Sequence, residues 1–128
     1  MNTPKKFRVW DVTNKKFLPQ SHFAILGNGK LIVSDSGHYI HFTNTNKEDY
    51  IVQEYTGLTD KNGNPIFEDD IVKWGDLNYL VEWNDIAYKW QGRCPYYHSY
   101  HHPTTENFRD LMNGIIVGNI FENSELLK

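Results

Sequence analysis

The stretch Tyr55-Thr-Gly-Leu-Thr-Asp-Lys-Asn-Gly-Asn-Pro-Ile-Phe-Glu-Asp-Asp-Ile-Val-Lys-Trp74 constrains the fold more than any other part of the chain. It sets a dense turn, Asp60 to Pro65, between two β-prone flanks, then delivers an acidic pair, Asp69-Asp70, directly into a new strand. A chain that turns over Asp60–Pro65 and resumes as a strand at Ile71 points to β structure on both sides of the turn. Composition agrees. Aromatic residues make up 15% of the 128 positions and alanine is almost absent, a balance that suits a pleated surface better than a helix.

Further strands follow from local patterning. Phe7-Arg-Val-Trp10 and Lys16-Phe-Leu18 flank Asp11–Lys15 as a hairpin with Asn14 near its turn. His22–Leu26 and Leu31–Val33 are joined through Asn28-Gly29, whose two residues tolerate positive φ. Tyr39–Phe42 and Tyr50–Tyr55 read as extended. Ile71–Trp74, Asn78–Trp83 and Ile86–Trp90 follow as strands of about five residues, a spacing that predicts a small meander or barrel rather than a parallel sheet. Gly92–Pro103 is a loop rich in Pro, Tyr and His. A helix is expected over Thr104–Met112, capped by Thr104 or Thr105, with Phe108, Leu111 and Met112 on one face. Ile115–Val117 gives the last strand, and Asn123–Leu127 a terminal helical turn.

The expected class is therefore mainly β, a β-rich α+β chain with one short helix near 105–112. Its N-terminal β segment covers 1–49, and a second part covers 50–128. The single cysteine, Cys94, allows no intrachain disulfide, and no segment reaches the ~18 apolar residues that span a bilayer. The N-terminus has no apolar signal core, so a cytoplasmic protein with no membrane partner is expected. The net charge of −3 is uneven: residues 1–18 carry +4 through Lys5, Lys6, Arg8, Lys15 and Lys16 against Asp11, and the rest −7. An overall acidic chain argues against a protein dominated by phosphate contacts.

Three blocks resemble one family. Tyr55-Thr-Gly-Leu with Asp60-Lys-Asn-Gly and Ile66-Phe-Glu-Asp-Asp-Ile-Val-Lys73 resembles the signature of YopX-like phage and prophage proteins. Lys6-Phe-Arg-Val-Trp-Asp11 is similar to the family's opening, Tyr79-Leu-Val-Glu-Trp83 to its middle strand, and Gly118–Leu127 to its close. The resemblance covers nearly the whole chain. It implies an SH3-type small barrel over 50–128 behind an N-terminal β-hairpin layer, homo-oligomeric assembly, and a bacterial host cell. It supplies no catalytic residues and no cofactor. The family has Gly where this chain has Asp69, a replacement suited to a left-handed turn because Asp visits that region more readily than most residues.

Each candidate site has a plainer alternative. Cys94, His98, His101 and His102 fall within nine residues and offer metal-ligand chemistry, with His22, His38 and His41 elsewhere. Their spacing matches no structural zinc pattern, and an exposed aromatic loop is the favoured reading. Asp60, Asn62 and Asn64 imitate the start of a calcium loop, but Pro65 stands where Gly is needed and Ile71 where Glu is needed. Asp69 and Asp70, adjacent on a strand, point apart, which leaves Asp60, Gly63 and Asp70 as turn-building residues. Asp70 is expected to accept backbone donors of the Lys61–Pro65 turn. Trp74, Trp83 and Trp90, with Tyr97 and Tyr100, are the partner-surface candidates, the indoles otherwise filling a barrel core.

The functional expectation is a non-enzymatic accessory protein that self-associates and binds a phage or host protein. A nucleic-acid-binding regulator using the basic hairpin is the alternative. A metal-dependent hydrolase on the His98–His102 loop comes third.

Overall fold

A computed structural model describes residues 6–34, 49–94 and 104–128. The expected strand at Tyr39–Phe42 lies outside the described residues. The chain divides into two compact units, one of residues 7–53 and one of residues 54–128 together with the first six. Both are built of β structure, and the protein is mainly β.

In the first unit β1 (Phe7–Asp11) pairs antiparallel with β2 (Lys16–Phe17), Trp10 opposite Phe17. The reversal between them is held by Asp11, whose buried carboxylate accepts the N–H groups of Thr13 and Asn14 and the Asn14 side-chain amide. These bonds outweigh the burial that pushes the Asp11 carboxyl up, and its pKa lies below the ordinary value. A single 3-10 turn (Gln20–His22) leads to β3 (Phe23–Ile25), which pairs with β4 (Leu31–Val33) through the Asn28-Gly29 turn. Gly29 has φ 87° there, as that turn chemistry requires. Val9, Leu31 and Val33 form the buried cluster, with Leu18, Phe23, Ile25 and Tyr50 against it.

β5 (Tyr50–Thr59) starts in the first unit and ends in the second. Its later residues pair with β6 (Pro65–Phe67), Tyr55 opposite Phe67 and Thr59 opposite Pro65. β7 (Asp70–Trp74), β8 (Leu77–Asn84), β9 (Lys89–Cys94), β10 (Thr104–Asn107) and β11 (Ile115–Asn119) make an antiparallel sheet of order β10-β9-β8-β7-β11, curled as a half-barrel. Alternation along β7 and β8 fills both faces of this sheet. Val72, Tyr79 and Val81 pack with Ile66, Cys94 and Leu111, while Ile71 and Leu80 pack with Leu127 of the closing 3-10 turn (Ser124–Leu127).

Two expectations are corrected. Thr104–Asn107 is strand, in register with Gln91–Cys94, and only Phe108–Leu111 is helical (α1). Pairing with β9 satisfies the backbone of those four residues in a ladder, and tertiary context overrides a weak helix signal. Ile86 is not in a strand either. β8 runs on to Asn84, residues 85–88 form the turn, and Trp83 faces Trp90 across the pair.

Candidate functional site

The family-like run supplies two turns that fix the second unit, both held by a buried aspartate. Asp60 Oδ1 accepts the N–H groups of Asn62 and Asn64, each at 2.9 Å, and Oδ2 accepts the Ile116 N–H at 3.0 Å. Burial acts to raise the Asp60 carboxyl, but these donors prevail and hold it below its ordinary pKa. Gly63, at φ 84°, closes the loop by donating to the Asp60 carbonyl.

Asp70 does not hold that turn. Lys61 donates to Gly114, Asn62 and Asn64 to the Asp60 carboxylate, and Gly63 to the Asp60 carbonyl, so all four amides are committed. Asp70 accepts instead the Phe67 N–H at 2.8 Å, clamping the reversal from β6 to β7. Asp69 sits in that reversal with φ 66°, in the left-handed region that Asp enters at lower cost than most residues. Its N–H donates to Val81 and its carbonyl accepts from Ile120. The Glu68-Asp69 turn is thereby anchored to β8 two residues before Trp83.

The aromatic candidates separate. Trp74 is half-buried against the core, its ring 6.3 Å from that of Tyr79. Trp83 and Trp90 make an edge-to-face pair with centroids 5.3 Å apart beside the turn of the β8–β9 hairpin, Trp83 being 41% exposed. Beyond them the turn presents Ile86 at 94% and Tyr88 at 80% exposure. Asn84 Oδ1 accepts the Ile86 and Ala87 N–H groups, and its amide donates to Gln91, so this apolar tip has a fixed base. Tyr88 has φ 52°, a conformation that costs a bulky residue roughly 1–2 kcal/mol. Sequence alternation read Ile86 and Tyr88 as strand-face residues; the Asn84-Asp85 pair was the signal for a turn extending across them.

Between Trp83, Trp90, Glu54 and Glu68 lies an open cleft of about 370 Å³. Glu68 donates its N–H to the Glu54 carbonyl at 3.0 Å, which holds these two lining residues next to each other along the backbone. Glu54 does not stand out in the sequence, and Glu68 does so only as a member of the acidic run Glu68-Asp69-Asp70, because the cleft depends on the tertiary anchoring of the Glu68-Asp69 turn.

Cys94 is buried in the core cluster. His98, His101, His102, Tyr97 and Tyr100 lie outside the described residues. Among the described residues no group of three or more His, Cys, Asp or Glu side chains is placed to hold a metal ion, and no helix is long and apolar enough to cross a membrane.

The fold is thus that of a mainly β protein whose buried acids serve as turn clamps. Residues 6–128 match the family described as YopX protein, and the chain belongs to the YopX family. Its fold is similar to that of protein EF1440 from Enterococcus faecalis, whose crystal structure aligns over 99% of this chain and 100% of that one, with a TM-score of 0.62 and 23% identity. No curated protein matches the chain.

Proposed function

We propose that the chain is a phage or prophage accessory protein that acts as a non-enzymatic binding module, and that it self-associates through the tip of the β8–β9 hairpin. One observation carries this reading: Ile86 and Tyr88 stand almost fully exposed on a turn pinned by Asn84, with Tyr88 held in a costly conformation. Neighbouring large apolar side chains in that state favour a protein contact that covers them. Backbone strain concentrated at such a position is consistent with a functional rather than a folding role.

The fate of the acids supports the non-enzymatic part. Asp11 and Asp60 are buried, hydrogen-bonded by backbone donors and shifted towards lower pKa, the opposite of what a general acid needs at neutral pH. The nucleic-acid alternative has one of its cations, the half-buried Arg8, engaged within the chain. Arg8 lies over the Phe17 ring at 4.6 Å and donates Nε to the buried Gln53 side chain. An SH3-type arrangement of the β5–β11 strands remains part of this proposal, as does a cytoplasmic location.

Sedimentation velocity over a concentration series tests the assembly. A species larger than the monomer is expected to grow in at high micromolar concentration. A sharp monomer throughout would remove self-association from the account.

A further inference from the structure

Among the described residues, β11 stands at one end of its sheet and pairs with β7 alone. An end strand is a template on which another chain can add, and this one has the composition for it. Gly114-Ile-Ile-Val-Gly-Asn-Ile120 sets three β-branched residues in a row and holds no charge and no proline. Ile115 and Val117 are 42% and 38% exposed. Yet the chain itself occupies this edge. The Asp60 carboxylate takes the Ile116 N–H at 3.0 Å, the Lys61 N–H donates to the Gly114 carbonyl at 3.0 Å, and the Asn123 side chain accepts the Asn119 N–H at 3.2 Å. A register shift between Ile116 and Gly118 bends the strand between these points. We propose that the Asp60-Lys61 turn is an autoinhibitory cap on this edge, and that β11 freed of it pairs with β11 of a second copy.

An added strand would need the backbone groups that the turn already holds. The Gly114 carbonyl and the Ile116 N–H lie two residues apart and both bond outside the sheet, as groups on the outer side of an antiparallel ladder do. The cap is also electrostatic. Asp60 is buried, and its carboxylate is held by the N–H groups of Asn62, Asn64 and Ile116. A strand that took the Ile116 N–H would leave that charge short of a donor in a dry site, which is costly. A second copy is the occupant because two identical edges meeting antiparallel set the uncharged segment against itself and cover Ile115 and Val117 of both chains. This edge is separate from the hairpin tip, and the inference goes beyond the association proposed there.

The test is sedimentation velocity on the whole chain carrying Asp60→Ala, made in the Ile86→Ser/Tyr88→Ser background so that tip contacts do not contribute. Asp11→Ala in the same background is the matched control, since it too removes a buried turn-clamping carboxylate, one whose bonds go to Thr13 and Asn14 of its own turn. Asp60→Ala should associate at a concentration about tenfold or more below that of the background and of the control. Adding Val117→Lys should return it to monomer without restoring the stability lost at Asp60, because a lysine on an end strand opposes strand addition. If Asp60→Ala does not fold, Asp60→Asn keeps the shape with fewer acceptors for the three N–H groups, and the same comparison applies. A folded Asp60 variant no more associated than its background would overturn the proposal, as would equal association of Asp11→Ala or association undiminished by Val117→Lys. The tip is read from wild type against the Ile86→Ser/Tyr88→Ser protein, so failure of either idea leaves the other readable.

Discussion

The Asp60 carboxylate accepts the backbone N–H of Ile116, a residue 56 positions further along the chain, at 3.0 Å. A loop that looks like local turn chemistry is therefore also a tertiary lock, joining the turn after β5 to the last strand of the sheet. The Lys61 N–H to Gly114 carbonyl bond reinforces the same junction.

Replacing Asp60 by Asn should destabilise the protein by about 2 kcal/mol, because an amide presents an N–H to a buried donor that had a carboxylate oxygen. Urea unfolding at neutral pH, with the m-value unchanged, measures this. The pH dependence has a definite sign. The folded pKa is depressed, so the carboxylate's contribution is complete above the unfolded pKa and is lost as pH falls through the folded one. The gap between wild type and Asp60→Asn should thus narrow in acid.

Asp69, at φ 66°, holds a left-handed backbone conformation in the reversal from β6 to β7. Asp69→Gly removes the left-handed cost but gains unfolded-state entropy, for a net stabilisation of about 0–1 kcal/mol. Asp69→Val should lose about 1–2 kcal/mol, since a β-branched side chain tolerates that region poorly. Thermal unfolding of the two variants should shift Tm in opposite directions, and a loss in Asp69→Gly would contradict the strain argument.

Gly114 is required by close approach. A Cβ there would stand 2.5 Å from the Lys73 carbonyl oxygen and 2.7 Å from Val72 Cγ1. The carbonyl belongs to a paired strand and cannot swing away, so Gly114→Ala should cost about 1–3 kcal/mol. Denaturant midpoints compared with those of Gly27→Ala, where the added carbon meets nothing within 4 Å, separate this crowding from the general effect of replacing glycine.

Much of the architecture was legible because it is local. Asn28-Gly29 demanded a hairpin and made one, and alternation through Tyr79, Val81 and Trp83 placed β8 with Tyr79 and Val81 in the core. The helix expected at Thr104 failed where pairing with β9 decided the outcome, since a ladder partner is invisible to capping and periodicity. The clamp assignments at Asp60 and Asp70 show the same limit. Turn composition pointed to an aspartate, but Asp60 also takes the Ile116 amide of β11, 56 residues on, and Asp70 takes the Phe67 amide of its own reversal. The cleft was least legible of all. Trp83 and Trp90 were candidates by residue type, whereas Glu54 and Glu68 acquire meaning only from the turn docked on Val81.

The most direct test of the binding-module account is the assembly state of wild type beside Ile86→Ser/Tyr88→Ser. Both residues are solvent-exposed on the turn, so the variant should fold with unchanged or slightly higher stability. Sedimentation velocity at high micromolar concentration should show wild type associating and the variant monomeric, a weakening of about tenfold or more. Equal association of the two proteins, or a monomeric wild type, would contradict the account.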